Sequence, residues 1–456
     1  MKLRRTTVVL GIAAAVALAT TSCTSGTAGS TPSAPTFSKK ATGSITTNGF
    51  TPGDEVATSR VDYAKSQLPN ITVNINKGSF DAQKFAAQAA SGSVPDIVDM
   101  SQSDITTYAA QGLIMPLDKC FSTYKVNPTT HYYAAVMDAM KYKGGYYGIP
   151  QFWQTAAIML NMRVLDKAGL TAADFDTSKP DAIIAAVKKL TKFDSSGTPT
   201  RLGLDPNMPG NTSSWFLTFG GKVVDSAGKP TLDDANNVKA LTFLKAVFDA
   251  EGGYDKASSF KNTFDYFGND NQFAKDQVAA EFNQEWYPNV LTGNTAGVDI
   301  SATPLMNPSG QPIGMSDGDA FAIPTAAKNK DAACAWAISM TSDNAWVAAT
   351  KARLATVAKT KGAIFTGLFT GSATADKIIT SQYQKSTGIK GFDETIKAYQ
   401  DSLTGGANLG SSPAGLQINT ELQNAVVPAL EGNKSISEAL KDAQAAALAD
   451  YKQAVK

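Results

Sequence analysis

The chain has 456 residues, of which 43% are hydrophobic and 18% are charged, and its formal net charge is +1. This composition is typical of a globular protein, and a chain of this length is expected to divide into two large lobes. The near-neutral charge provides no basic face for a nucleic acid, so we expect no nucleic-acid partner.

Residues 1–22 have the pattern of a signal peptide. The basic start MKLRR precedes the apolar run VVLGIAAAVALA (residues 8–19), which is too short to span a bilayer. Small residues lie directly before Cys23, a context that favours attachment of a lipid to its thiol; ordinary secretion with cleavage nearby is the alternative. We predict lipidation of Cys23 and a protein held at the extracellular face of the cell membrane.

Residues 23–43 are expected to form a tether. They are rich in Ser, Thr, Gly and Pro and contain one aromatic residue, too little apolar surface to order themselves. About 20 flexible residues reach roughly 25 Å. Beyond the signal peptide the sequence contains no second apolar run long enough to cross a membrane.

Two further cysteines, Cys120 and Cys334, follow Cys23. Outside the cell they could form a disulfide. Each also lies in an apolar context, so two separately buried thiols are the alternative. The sequence does not decide between these.

Strands and helices alternate after the tether. GSITTNGF, ITVNINKG and PDIVDMSQSD have strand patterns, and each is followed by a segment with a helical pattern: DEVATSRVDYAKSQLP, SFDAQKFAAQAASG and ITTYAAQGLIMPLD. This order predicts an α/β unit with a parallel sheet. Ligands of such sheets bind beyond the carboxyl ends of the strands, which makes Phe50, Gln102 and Ser103 candidate site residues; turn residues are the alternative.

The second half of the chain is predicted to be mainly helical. TAAIMLN, GVDISATPLM and DAFAIPTAA are its predicted strands, whereas KPDAIIAAVKKLTKF, VKALTFLKAVFDAEGG and DNQFAKDQVAAEFN are among its predicted helices. The C-terminus is predicted to be helical with a break at Pro428 and Gly432.

The stretch GGYYGIPQFWQT (residues 144–155) places four large aromatic residues around a glycine-proline break, beside Gln and Thr. A core strand avoids interior proline, so this is not an ordinary strand. We interpret it as a segment that passes between the lobes and presents a stacking surface to a neutral, hydroxyl-rich ligand.

A sugar ring has an apolar C–H face and an edge of hydroxyl groups, so its site needs aromatic faces and polar side chains. Three segments supply both, and their candidate ligand-binding residues are Phe152, Trp153, Gln154, Trp215, Trp286 and Tyr287. Core packing is the alternative for every ring. Asp319, favoured over Asp317, could accept two sugar hydroxyls or cap a turn.

The order of these segments resembles the extracellular solute-binding proteins of ABC importers, specifically the sugar-binding group that includes maltose-binding protein. The likeness covers essentially the whole folded body and is carried by PDIVDMSQSDITTYAAQGLIMPLD, KGGYYGIPQFWQTAAIMLNMRVLDKAGL and DAFAIPTAAKNKDAACAWAISMTSDNAW. There are two departures: Ala355 stands near the place of a hinge proline, and the first strand ends in NGF instead of a Trp-bearing segment.

The resemblance implies a periplasmic-binding-protein-like α/β fold, with two lobes joined by a multi-crossing hinge and a ligand cleft between them. Transferred to this sequence, the N-lobe is 44–152 plus 304–352, the C-lobe is 153–303 plus 353–456, and the crossings lie near 152–154, 301–304 and 353–357. Trp153, at the first crossing, and Trp286, in the C-lobe, would then sandwich the ligand.

The resemblance further implies a monomeric receptor that captures a sugar or oligosaccharide and delivers it to a membrane permease, without a cofactor or metal. Few charges in the expected cleft segments favour a neutral solute. An enzyme is disfavoured because His131 is the single histidine, which leaves little for a catalytic triad or a metal site. The alternatives are a polyamine or phosphodiester receptor and, less favoured, a secreted glycosidase.

Overall fold

The computed structural model describes residues 37–314, 318–407 and 409–456. The predicted signal peptide, Cys23 and the first part of the tether lie outside the described residues, as does Asp317.

The strands of the described chain are β1 (Gly43–Asn48), β2 (Ile71–Asn76), β3 (Ile97–Ser101), β4 (Lys141–Tyr142), β5 (Gly145–Tyr146), β6 (Ile149–Pro150), β7 (Ala156–Asn161), β8 (Lys192–Phe193), β9 (Pro199–Arg201), β10 (Ala280–Gln284), β11 (Ile300–Pro304) and β12 (Asp319–Ala322).

The α-helices are α1 (Glu55–Gln67), α2 (Ala82–Ser91), α3 (Ile105–Ala110), α4 (Asp118–Thr123), α5 (Pro128–His131), α6 (Ala134–Ala139), α7 (Met162–Lys167), α8 (Pro180–Leu190), α9 (Thr212–Thr218), α10 (Ala235–Ala250), α11 (Tyr254–Lys261), α12 (Tyr287–Leu291), α13 (Lys330–Met340), α14 (Asp343–Lys359), α15 (Ala373–Gln382), α16 (Lys390–Gly405), α17 (Gly415–Leu430) and α18 (Ile436–Ala454).

The first lobe is built on a five-stranded sheet with the order β2-β1-β3-β12-β6. β1 runs parallel to β2 and β3, whereas β12 runs antiparallel to β3 and β6. The alternation of strand and helix correctly predicted the parallel part. As a result, the loops after β1 and β3 lie at one edge of the sheet, where ligands of α/β sheets bind.

The second lobe contains an antiparallel sheet with the order β10-β7-β11 and its own large hydrophobic core. The two-lobed α/β fold is therefore confirmed. The prediction of a helix over DNQFAKDQVAAEFN was wrong, because its last residues form β10. That strand is buried on both faces, and such a strand cannot be told from a buried helix by periodicity.

The early helix boundaries follow from capping residues. α1 begins after Asp54, whose side chain accepts a hydrogen bond from Ala57 N, and α2 begins after Asp81, which does the same for Lys84 N. Gly92 ends α2 in the left-handed conformation at φ 70°. These residues are standard start and stop signals of helices, so the positions of both helices could be predicted from the sequence.

Cys120 in α4 and Cys334 in α13 are joined by a disulfide, with a Cα–Cα distance of 5.9 Å. Both residues are fully buried in the core of the first lobe. Of the two alternatives left open by the sequence, the structure therefore has the disulfide and not two separate thiols.

Three segments lead from one lobe to the other. Residues 151–155 connect β6 to β7, and the chain between β11 and β12 returns to the first sheet. Residues 383–389 connect α15, which packs on α14 and α5, to α16, which packs on β11. The predicted crossing residues 301–304 and 353–357 belong to β11 and α14, so the chain leaves those elements later than expected. The lobe boundaries given above remain a prediction.

Among the residues that the structure describes, none of the helices combines the length and apolarity needed to cross a membrane.

Candidate functional site

A cavity of about 650 Å³ lies between the two lobes. The first lobe contributes the β1–α1 loop and Asp99 of β3, the connection 151–155 contributes Gln151, Phe152 and Gln154, and the second lobe contributes the start of α12. The segment 367–369 closes one side. Its size is within the range of small-molecule sites, which makes it the candidate functional site.

The backbone after β1 approaches β3 closely at the edge of this cavity. Gly49 has a φ of 91°, and a Cβ atom there would lie 2.1 Å from the backbone oxygen of Asp99. Only glycine satisfies both constraints. Gly49 thereby allows the chain to turn and place Phe50 in the cavity wall.

Aromatic rings form much of the cavity wall. They come from both lobes and from the connections between them: Phe50, Phe152, Trp286, Trp346 and Phe369. Trp286 is partly exposed, and its Nε1 donates a hydrogen bond of 2.8 Å to Gln284 Oε1, which fixes the orientation of the indole. Phe152, Trp286 and Phe369 are partly exposed and can offer apolar faces to a ligand, whereas Phe50 and Trp346 are almost fully buried.

Polar side chains lie between the rings. Gln154 and Asn289 are half-buried and line the cavity, and Glu285 Oε2 accepts a hydrogen bond of 3.1 Å from Thr155 N. This last bond joins the connection 151–155 to the start of α12. Donors and acceptors are therefore available beside the aromatic faces.

The floor of the cavity on the side of the first lobe is charged. The Arg60 guanidinium lies 4.0 Å above the Trp346 ring and donates hydrogen bonds of 3.1 and 3.2 Å to the backbone and side-chain oxygens of Gln151. Gln151 Nε2 in turn donates to Asp99 Oδ2 at 3.4 Å. Burial lowers the pKa of Arg60 to about 10, so the guanidinium stays protonated at neutral pH.

Asp99 is 4% exposed, and burial, followed by the nearby charge of Asp319, raises the pKa of its carboxyl group well above the usual value. Its Oδ1 atom has no hydrogen-bond partner among the described residues. A protonated Asp99 can act as a hydrogen-bond donor in the cavity floor, which an ionised carboxylate cannot.

The mouth of the cavity carries an ion-pair group. Arg353 of α14 bonds Asp54 at 3.0 Å and also contacts Glu55, both at the start of α1. Asp54 and Arg353 line the cavity, together with Asp99, Glu285, Asp319 and Arg60. The expectation of few charges was therefore wrong. Glu285 and Asp319 of the predicted site segments line the cavity together with charged residues of other elements, such as Arg60 of α1.

Five of the predicted site residues line the cavity: Phe50, Phe152, Gln154, Trp286 and Asp319. They come from four separate segments of the chain, which the fold brings together.

Trp153 does not line the cavity. Its side chain is fully buried in the core of the first lobe, and its ring centroid lies 4.9 Å from that of Tyr133. The physical reason is the alternation of an extended segment, in which Phe152 and Gln154 share one side and Trp153 takes the other. The expectation that Trp153 and Trp286 face each other across the ligand is corrected accordingly.

Two other predicted rings are core residues of the second lobe. Trp215 is fully buried and donates a hydrogen bond from Nε1 to Pro206 O at 3.1 Å. Tyr287 is also fully buried, and its hydroxyl donates to Tyr266 O and accepts from Gln272 Nε2. Neither ring offers a face to the cavity.

Gln102 and Ser103 support the site without lining it. Gln102 is 1% exposed and donates a hydrogen bond of 2.9 Å from Nε2 to Phe152 O, which holds the connection 151–155 against the end of β3. Ser103 is half-buried, and its hydroxyl lies 2.9 Å from that of Ser101. This is the turn role that the sequence left open.

The single histidine belongs to a hydrogen-bonded group outside the cavity. His131 Nδ1 lies 2.8 Å from Thr374 Oγ1, and Ser372 Oγ lies 3.4 Å from His131 Nε2 and 3.5 Å from Asp343 Oδ1. Ser372 is fully buried, and its side chain caps α15. A catalytic nucleophile must be accessible to its substrate, and the buried Ser372 is not. The group instead joins α5, α14 and α15, which is a structural role.

Asp376 of α15 lies next to the connection 360–372 and accepts a hydrogen bond of 3.0 Å from Thr370 N. Burial raises the pKa of its carboxyl group to about 7, against about 3.9 in an unfolded chain. Between these values the folded protein holds a proton that the unfolded chain has lost. Its contribution to stability is therefore complete below about pH 4 and is lost as the pH rises through 7.

Exchange of Asp376 for asparagine is expected to remove this pH dependence. From pH 5 to pH 6.5 the free energy of unfolding of the wild type should fall by about 2 kcal/mol more than that of Asp376→Asn. Chemical denaturation at both pH values measures the difference, with Asp233→Asn at an exposed position as the control. If the free energy of unfolding fell by the same amount in Asp376→Asn and in the wild type between these pH values, Asp376 would not be the group with the raised pKa.

A family model described as bacterial extracellular solute-binding protein matches residues 52–345, which is more than half of the chain. No curated protein matches the sequence.

Similar solved structures extend over almost the whole described chain. CpMnBP1 with mannotriose bound is 22% identical with a TM-score of 0.70, covering 89% of this chain and 99% of that one. The substrate-binding protein Lmo0181 from Listeria monocytogenes, in complex with cycloalternan, is 19% identical with a TM-score of 0.69 and coverages of 89% and 97%. UgpB from Mycobacterium tuberculosis, in complex with glycerophosphocholine, is 17% identical with a TM-score of 0.65 and coverages of 91% and 100%. At these identities the likeness establishes the fold.

Proposed function

The chain belongs to the bacterial extracellular solute-binding protein family, and we propose that it is the receptor of an ABC importer for a sugar or oligosaccharide. The ligand is held in the cavity between the lobes and is then delivered, unchanged, to a membrane permease. The receptor acts as a monomer and needs no cofactor.

The observation that supports a carbohydrate most strongly is the composition of the cavity wall. Trp286, Phe152 and Phe369 supply aromatic faces for the C–H side of a sugar ring, and Gln154 and Asn289 supply planar amides for its hydroxyl groups. A buried hydroxyl without a partner costs about 1–3 kcal/mol, so a polyol needs this dense supply of donors and acceptors.

The charged side chains fit the same ligand. Carboxylates accept hydrogen bonds from hydroxyl groups, and such charge-assisted bonds are stronger than neutral ones. Arg60 is already bonded to Gln151, and Arg353 is already paired with Asp54 and Glu55. Both guanidiniums are thus held in place before the ligand arrives, which reduces the ordering needed on binding.

Binding is coupled to a change in the angle between the lobes. The connection 151–155, the chain between β11 and β12, and the connection 383–389 are the places where backbone rotation would close the cavity. A ligand that contacts both the β1–α1 loop and α12 stabilises the closed arrangement, because those contacts form together only there. The permease distinguishes the closed, loaded receptor from the open one.

A thermal-shift screen with a carbohydrate panel tests this function. A ligand present at 100 times its dissociation constant should stabilise the protein by about 2.7 kcal/mol. We expect at least one neutral mono- or oligosaccharide to raise the melting temperature and to be recovered intact after incubation. Stabilisation by none of them, or cleavage of the bound sugar, would contradict the proposal.

An organic cation is the second candidate ligand. Four carboxyl-bearing residues line the cavity beside the aromatic rings: Asp54, Asp99, Glu285 and Asp319. Aromatic rings attract quaternary ammonium groups, and the structurally similar UgpB is in complex with glycerophosphocholine. Choline, spermidine and glycerophosphocholine therefore belong in the same screen, and stabilisation by these compounds alone favours the second candidate.

The receptor is held at the membrane through a lipid on Cys23. The small residues directly before this cysteine and the Ser/Thr/Gly/Pro-rich sequence after it support this part of the proposal. Cys23→Ala is expected to move the protein from the membrane fraction to the culture medium. A wild-type protein that is already soluble in the medium would contradict the anchor.

A further inference from the structure

We propose that Phe267 extends the ligand site beyond the cavity rim, so that the ligand is an oligosaccharide of at least two sugar rings. The proposal rests on the carbohydrate function and adds a specificity-determining residue and a ligand length to it. Phe267 lies in the loop between α11 and β10 and is 73% exposed. Among the described residues it is the most exposed large hydrophobic side chain.

The position of Phe267 relative to the cavity is defined by Trp286. The two ring centroids are 6.2 Å apart, and the ring planes differ by 13°. Trp286 lines the cavity, whereas Phe267 does not. The Phe267 ring is thus stacked next to Trp286, outside the cavity lining and largely in solvent.

The loop that carries Phe267 is held by hydrogen bonds. The neighbouring Tyr266 donates from its hydroxyl to Asn283 Oδ1 at 2.7 Å, and its backbone oxygen accepts a bond of 2.9 Å from the Tyr287 hydroxyl. The edge of the Tyr266 ring also contacts Phe267, with centroids 5.1 Å apart. An aromatic ring whose backbone is fixed in this way loses little freedom when a ligand covers it.

A sugar chain is the occupant that fits this surface. A ring left mostly in water gains free energy when apolar surface covers it, and an exposed apolar side chain that is continuous with a binding cavity marks the path of the ligand. A single ring bound against Trp286 leaves Phe267 uncovered, because Phe267 lies outside the cavity lining. The next ring of an oligosaccharide would contact it.

The test compares chain lengths. Wild type, Phe267→Ala and Phe193→Ala are titrated calorimetrically with manno- and malto-oligosaccharides of one to five units. Phe193 is 45% exposed and does not line the cavity, so it is a matched control. We expect wild-type affinity to rise with length, and Phe267→Ala to bind the longer chains about tenfold more weakly, a difference of about 1.4 kcal/mol.

Monosaccharides should bind Phe267→Ala as they bind the wild type, because a single ring does not reach Phe267. Phe267→Tyr should keep the increase in affinity with chain length, and Phe193→Ala should match the wild type at every length. Equal affinities of Phe267→Ala and wild type at every length would overturn the inference. An equal loss at every length would also overturn it, since it would assign Phe267 to the support of Trp286. Failure of every carbohydrate to bind the wild type would instead contradict the proposed function itself.

Discussion

Replacement of Trp286 by alanine is expected to weaken carbohydrate binding roughly hundredfold, or by about 3 kcal/mol. A tryptophan buries about 150–250 Å² in a contact, and apolar area contributes about 25 cal/mol per Å², so much of this loss follows from the ring alone. The melting temperature of the unliganded protein should change little, because Trp286 is partly exposed at the cavity wall. Calorimetric titration and thermal denaturation measure the two quantities separately.

The variant Trp286→Phe is the control for this prediction. It keeps an aromatic face and loses the hydrogen bond from Nε1 to Gln284, so its affinity should lie between that of the wild type and that of Trp286→Ala. If Trp286→Ala melted far below the wild type and still bound the sugar with full affinity, the ring would belong to the core and not to the site.

Replacement of Trp153 by alanine is expected to have the opposite signature. Its ring is fully buried among the residues of the first core, and truncation of a buried tryptophan costs about 3–5 kcal/mol of stability. The unliganded protein should therefore unfold at a clearly lower denaturant concentration. At temperatures where the variant remains folded, it should keep most of its affinity for the ligand.

The variant Trp153→Phe serves as a smaller truncation at the same position and should lose less stability than Trp153→Ala. Unchanged stability of Trp153→Ala together with complete loss of binding would contradict the placement of the ring. That result would restore the interpretation drawn from the sequence, in which Trp153 contacts the ligand directly.

The fold could be predicted well from the sequence because its local signals are strong. Asp54, Asp81 and Gly92 are capping residues that mark helix ends, and the strands between the first helices are short and β-branched. β10 was missed because a strand that is buried on both faces has no alternation to reveal it.

The candidate site could be predicted only in part. The stretch around Phe152 borders the cavity, but its composition alone does not indicate which face each side chain takes. Alternation along an extended segment separates Phe152 and Gln154 from Trp153. At the start of α12, Trp286 lines the cavity, whereas the next residue, Tyr287, is buried.

The charged part of the site could not be derived from local patterns. Arg60 lies within the helix α1, where arginine is usually a solvated surface residue, and Asp99 lies within the strand β3. Their meeting at the cavity floor depends on Gln151, some 50 to 90 residues further along the chain. Such contacts follow from the packing of the lobes and leave no trace in the sequence near either residue.

A crystal structure of the protein with the best-binding carbohydrate of the panel tests the central claim most directly. We predict an intact, uncharged sugar in the cavity between the lobes, with one ring stacked on Trp286 and hydroxyl groups bonded to Gln154 and to the carboxylates of the wall. A sugar bound elsewhere on the surface, with the cavity occupied by a charged molecule, would contradict it.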